Sequence, residues 1–164
     1  MNSSADNLPA RISTRLAFLV AGFGVSCWAP LVPYAKDRLG IDERVLGILL
    51  LCLGVGSLLA MFFAGTLSSR FGTRPVILVS GFALAAVLPW LAIASTPFTL
   101  GVTLLLFGAT LGSLDVAMNI HGVEVEHAVG QPLLSGFHAL YSLGGFAGAA
   151  FITLLLSLGL GPLL

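Results

Sequence analysis

The chain has 164 residues, of which 57% are hydrophobic and only 9% charged, with a mean hydropathy of +1.05. A soluble domain carries about 25% charged residues, so this composition belongs to an integral membrane protein. Seven basic and seven acidic side chains cancel, leaving neither the basic excess that nucleic-acid binding requires nor an acidic tail.

A membrane span needs about 20 apolar residues, so the gaps between charge clusters divide the chain. Residues 1–15 read as a polar tail that ends with Arg11 and Arg15. The first span is expected over residues 16–32. Its run lacks charge for twenty residues and has Pro30 and Pro33 near its end, which suits an uncleaved helix better than a signal peptide. A lipoprotein-like cleavage site before Cys27 lacks the large aliphatic residue expected where Gly24 stands. A loop holding Lys36, Asp37, Arg38, Asp42, Glu43 and Arg44 precedes a second span over 45–67. Between Arg74 and Asp115 no charge appears, which leaves room for spans over 76–94 and 100–120 with a turn at Ser95, Thr96 and Pro97. A loop with Glu124, Glu126 and His127 leads to a fifth span over 134–158, and Gly161 and Pro162 make a break. The predicted architecture is therefore all-α, a polytopic bundle of about five spans over 16–160.

Orientation follows the basic residues. With the N-terminus in the cytoplasm, Arg11, Arg15, Arg70 and Arg74 lie inside and Lys36, Arg38 and Arg44 outside; four against three favours that arrangement slightly. Small residues placed for close helix packing are Gly54, Gly56 and Ala60 in the second span, Gly108 and Gly112 in the fourth, and Gly144, Gly145 and Gly148 in the fifth. Cys27 and Cys52 sit in apolar runs without a ligand spacing, so they read as packing residues rather than a disulfide or a zinc site.

The fourth span carries the conspicuous chemistry. At the bilayer centre an aspartate costs roughly 2.5–3.5 kcal/mol on insertion scales, and such residues are usually inward-facing and functional. Ten Leu, Ile, Val and Phe residues between Leu100 and Ile120, at roughly 0.3–0.6 kcal/mol each, offset that cost. Spacings of four, three and four put Gly108, Gly112, Asp115 and Asn119 on one helical face. His138, Tyr141, Gly145 and Gly148 share a face of the fifth span, and Ser142 borders it. Asp115 reads either as a proton or substrate site or as a buried hydrogen-bond anchor to Asn119 or a neighbouring helix. His138 reads as its partner, as a second proton carrier, or as a satisfied interior histidine. In the first span Ser26, Cys27, Trp28 and Tyr34 are the groups near a cavity, and Trp28 suits sugar stacking or, more readily, an interfacial aromatic. His121, Glu124 and His127 fall at three-residue steps that suggest a metal, but neither zincin pattern is present, and a solvated loop is expected. No phosphate loop or nucleophile elbow occurs. The chain is therefore expected to be no enzyme and to need no cofactor or metal.

The run from Gly65 through Leu67, Ser69, Arg70 and Gly72 to Arg74 fills the expected turn between the second and third spans. It resembles the signature loop of the major facilitator superfamily, departing from it at Ser69, where the family usually has aspartate. A narrower resemblance covers Gly112, Ser113, Leu114, Asp115, Val116, Ala117, Met118 and Asn119, followed by Phe137, His138, Ala139, Leu140, Tyr141, Ser142, Leu143 and Gly144. These look like spans four and five of the fucose-permease branch, in which an acid at the position of Asp115 is implicated in proton coupling to sugar uptake. The first span here has no acid of its own, so a two-carboxylate mechanism does not carry over. The resemblance implies an incomplete N-terminal half of a twelve-span fold, present as a fragment, a truncated frame or one part of a larger assembly. It implies proton-coupled transport of a small solute such as a sugar across the inner membrane, with the loop over 65–74 as gate and Asp115, Asn119, His138, Tyr141, Ser142 and Trp28 at the pathway. The implied partners are membrane lipid, solute, protons and the missing C-terminal half. Efflux by the same fold, or a non-transporting membrane subunit, are the alternatives.

Overall fold

In the computed structural model, residues 8–161 are described, and helices make up nearly all of them. Helix α1 covers Leu8–Ser26, a short 3-10 turn covers Ala29–Leu31, and α2 covers Val32–Leu39. Helices α3 (Glu43–Phe71), α4 (Thr73–Ile93), α5 (Pro97–Val129) and α6 (Leu134–Ser157) follow. Counting α1 and α2 as one broken span, five segments are long and apolar enough to cross a membrane, which matches the all-α polytopic bundle expected from the charge gaps. Many large side chains face outward, among them Phe62, Phe82, Phe98 and Phe146. A water-exposed surface of that kind would aggregate, whereas a bilayer solvates it.

The helices outrun the expected spans at their charged ends. Residues 8–15, expected in the polar tail, already belong to α1, and residues 1–7 of that tail lie outside the described residues. Lys36, Asp37 and Arg38 are helical, not looped, as is the segment from His121 to Val129. The reason is that apolar content limits only the part inside the ~30 Å hydrocarbon core, while a helix goes on wherever its backbone bonds are met. At 1.5 Å per residue the 33 residues of α5 reach about 50 Å.

Local signals set the ends. Asp42 caps α3 by accepting from the Val45 amide at 2.8 Å. Thr96 and Thr99 form a reciprocal capping box at α5, with Pro97 in the first turn. Gly40 and Gly130 end α2 and α5 in left-handed conformations. Pro30, which has no amide hydrogen, falls within the break after Ser26. Helix α6 has no cap from its own flanking residue. Instead the Glu126 carboxylate of α5 accepts from the amides of Leu133 (2.6 Å) and Leu134 (2.8 Å), putting a negative charge at a helix N-terminus. Glu126→Ala is expected to speed amide exchange in the first turn of α6 about fivefold, the usual effect of losing such a cap.

The helices pair through small residues. Helix α3 lies against α5 and α1 against α6, and α4 packs chiefly on α5. A Cβ built on Gly56 or Gly108 would stand 2.0 or 1.9 Å from a backbone carbonyl oxygen of the facing helix, and one on Gly144 would stand 2.1 Å from that of Leu19. Backbones therefore touch directly, the arrangement that lets van der Waals packing hold helices together in lipid. Gly54 takes no part, since a Cβ there meets nothing within 4 Å. Phe18, Phe107, Phe137, Leu100 and Leu104 fill the centre, and Phe18 stacks on Phe137 with ring centroids 5.4 Å apart. At one end of the bundle the starts of α1 and α4 and the end of α5 line a common cavity. At the other, Arg38 donates to the last carbonyls of α4, at Leu91 (3.2 Å) and Ala92, groups that have no partner within their own helix.

Candidate functional site

Asp115 and Asn119 lie one turn apart on α5, both half-buried. The Asn119 amide donates to the Asp115 backbone carbonyl at 2.8 Å and to its Oδ1 at 3.3 Å. Its other end, Oδ1, faces Nε2 of His138 on α6 at 3.0 Å. An amide oxygen only accepts, so the hydrogen of that contact belongs to His138 Nε2. In the neutral imidazole Nδ1 is then the acceptor. Asn119 thus relays a polar chain from a carboxylate on one helix to an imidazole on another. His138 is exposed, and it sits edge-on to Phe18 with ring centroids 5.4 Å apart, so α1 supports the ring from behind.

Tyr141 lies one turn beyond His138 on α6, half-buried and within reach of the Asp115 charge. Ser142 is exposed beside it. The structure therefore brings Asp115, Asn119, His138 and Tyr141 together between α5 and α6, on a face that is partly open.

Trp28 is placed otherwise. It is 4% exposed and packed in the apolar core, at the break that follows α1, so its ring is not free to stack on a solute. Its indole Nε1 has no hydrogen-bond partner. Cys27 and Cys52 are free thiols.

The segment from Gly65 to Arg74 is also not a turn. Gly65, Leu67, Ser69 and Arg70 belong to the last turns of α3, and Arg74 belongs to the first turn of α4. The whole connection is Gly72, at φ 88°, a conformation in which a Cβ would be strained. Ser69 bonds only its own helix, to the Thr66 carbonyl at 2.9 Å, and Arg70 lies over the Phe71 ring at 5.4 Å.

The link from this segment to the bundle runs instead through Thr73, a residue that sequence reasoning missed. Its buried hydroxyl donates to Glu124 Oε2 at 3.1 Å and lies 3.1 Å from His121 Nδ1, which is itself 3.4 Å from Glu124 Oε2. With its one hydrogen on the carboxylate, the Thr73 oxygen is an acceptor for an Nδ1–H. The three-residue step from His121 to Glu124 was the visible signal, but it becomes meaningful only because α5 continues through both. The expected solvated loop is thus a helical face pinned to α4. Among the described residues no group of three or more His, Cys, Asp or Glu side chains could hold a metal ion.

Two hollows near this end, of about 470 and 420 Å³, share Ala10, Arg74 and His121 in their walls. A third, about 570 Å³ and almost wholly apolar, runs between α1 and α4. Asp115, Asn119 and His138 line none of the three.

A bundle of five long apolar helices joined by close glycine contacts is consistent with part of a transmembrane carrier bundle. The Major Facilitator Superfamily model matches residues 15–161, and the chain belongs to that superfamily, a family of transporters rather than enzymes. An uncharacterized MFS-type transporter of Yersinia pestis is 52% identical over 153 residues, covering 93% of this chain and 40% of that protein. An uncharacterized transporter of Sinorhizobium fredii, y4wD, is 36% identical over 81% of this chain and 35% of its own length. Membrane protein MosC of Rhizobium meliloti is 33% identical over 80% and 32% respectively. The chain thus spans about two fifths or less of the curated relatives it matches. No solved structure matches it.

Proposed function

We propose that this chain is the N-terminal portion of a proton-coupled secondary transporter for a small solute, a sugar or related metabolite, of the fucose-permease-like branch. The observation that carries this is the Asp115–Asn119–His138 relay between α5 and α6. A carboxylate in the middle of the otherwise uncharged stretch of α5 before His121, joined to an imidazole near the start of α6, is expensive against lipid, so the open side of this face is where water, solute or a second half of the carrier lies. Asp115 binds the proton or contacts the solute, Asn119 holds it toward His138, and Tyr141 and Ser142 extend the polar lining. Secondary transporters of this kind hold substrate near the midplane between two halves that rock against each other, so a second half is the expected partner. In that cycle the segment around Gly72 is the gate, tied to α5 through the contacts of Thr73 with His121 and Glu124. The membrane is the inner membrane, and the N-terminus lies on the cytoplasmic side, as the count of basic residues favours.

The test uses the longer protein in proteoliposomes with an imposed pH gradient. Acid outside is expected to drive accumulation of labelled sugar, and a protonophore to abolish it. Gradient-driven export would reverse the direction assigned here, and a stable membrane complex without flux would remove the transport role.

A further inference from the structure

Each hydrogen bond of the relay between α5 and α6 has a fixed donor, and the direction is set at the Asp115 end. The Asn119 amide nitrogen lies 2.8 Å from the Asp115 backbone carbonyl oxygen and 3.3 Å from its Oδ1. Turning that amide over would set its oxygen against the same two oxygens. A backbone carbonyl carries no hydrogen whatever the charge on the side chain, so the reversed amide is excluded with Asp115 either protonated or ionised. The oxygen of Asn119 is therefore the end that meets His138 Nε2 at 3.0 Å, and Nε2 carries the hydrogen.

The imidazole does not escape that assignment by rotating. A half-turn about its Cβ–Cγ bond would put Cε1, not a nitrogen, against the Asn119 oxygen. Phe18 meets the ring edge-on at 5.4 Å and is itself fully buried against Phe137, so packing from α1 holds the plane in which the contact is made. Both hydrogens then point the same way, from His138 to Asn119 and from Asn119 to Asp115, and bonds aligned in series polarise one another.

A proton added to this ring has one place to go. Nε2 already holds its hydrogen, so the new N–H bond forms at Nδ1, and the resulting imidazolium keeps its bond to Asn119 without any side chain moving. The two nitrogens thereby divide the work: Nε2 anchors and Nδ1 accepts. Whatever lies at Nδ1 in the longer protein, be it water, solute or another helix, satisfies the neutral ring only by offering it a hydrogen.

We propose that Asn119 is a positioning residue that holds His138 as the Nε2–H tautomer, making Nδ1 the one atom where the ring takes up a proton or accepts a hydrogen from a solute hydroxyl. The roles of proton and solute rest on the carrier reading above; the tautomer and its dependence on Asn119 do not.

Nitrogen NMR of the protein at full length, labelled at its histidine rings and held in mild detergent, reads the tautomer directly, because protonated and bare ring nitrogens resonate far apart. His138 is identified by the signals lost in His138→Gln. At about two pH units above the ordinary imidazole pKa of ~6.5, the wild type is expected to show a bare Nδ1 and a protonated Nε2. In Asn119→Leu the anchor is gone, and the two signals are expected to move toward each other as the tautomers exchange. Asp115→Asn is expected to keep the wild-type pattern, since the backbone carbonyl still orients Asn119. A protonated Nδ1 in the wild type, an unchanged pattern in Asn119→Leu, or a lost pattern in Asp115→Asn would overturn the proposal. Should Asn119→Leu not fold, the other two spectra decide it. Coupled uptake retained by Asp115→Asn, with the tautomer as expected, would remove the carrier role and leave this assignment standing.

Discussion

On the proposed function, Asp115→Asn in a full-length carrier is expected to abolish proton-driven uptake without impairing membrane insertion. The substitution keeps the shape of the side chain and its contact with Asn119, which reaches both the backbone and the side-chain oxygen of residue 115. It removes the only titratable group in α5 before His121. Loss of a positioned proton-transfer group lowers rates by about 10²–10⁴-fold, so coupled flux should fall at least a hundredfold. Insertion should improve, because the asparagine carries no charge into the bilayer. Initial uptake rates under an imposed pH gradient, with protein content measured in the same vesicles, check this. Unchanged coupled uptake would leave Asp115 as a structural anchor to Asn119 and no more.

The second large effect is on stability, and it pairs two glycines of opposite consequence. Gly108→Ala places a methyl 1.9 Å from the backbone oxygen of Leu53, with the carbonyl carbon 2.8 Å away. Backbone cannot turn aside as a side-chain tip can, so α3 and α5 must separate along their most extensive contact. Overpacking of this kind costs about 1–3 kcal/mol, occasionally more, against a gain of about 1 kcal/mol in helix propensity. With a clash this deep the steric side wins, and a net loss of roughly 2 kcal/mol is expected. Gly54→Ala makes the same chemical change on α3 where a Cβ meets open space. It should leave stability unchanged or raise it by up to about 1 kcal/mol. Thermal unfolding of both variants in one detergent is the measurement. Equal effects at the two sites would mean that direct backbone contact does not hold α3 to α5.

The relay itself was half legible. A spacing of four residues puts Asp115 and Asn119 on one turn of any helix, and His138 and Tyr141 a turn apart on the next, so each half-site could be read without a structure. The face shared by Gly108, Gly112, Asp115 and Asn119 was likewise visible. Which partner each end of that face meets was not: the glycines meet α3, while Asn119 meets His138 of α6. Trp28 was misplaced because an aromatic near the end of an apolar run suits an interface as well as a core. Only its burial within the bundle distinguishes the two. Glu126 was assigned to a loop, and its role as the cap of α6 depends on where the chain turns at Gly130.

What the sequence determined by itself was the membrane environment, five crossings and the family signature. Those follow from transfer free energies that accumulate residue by residue along one segment and from charges that mark its ends. What only the tertiary structure decided was the pairing of α1 with α6 and α3 with α5, the contact between Asn119 and His138, and the anchoring of α4 through Thr73 to His121 and Glu124. The reason lies in the solvent. Lipid tails are as apolar as leucine, so hydrophobicity does not say which face of a helix meets protein and which meets the bilayer. That choice rests on how closely two backbones approach, a property of the pair that neither segment carries alone.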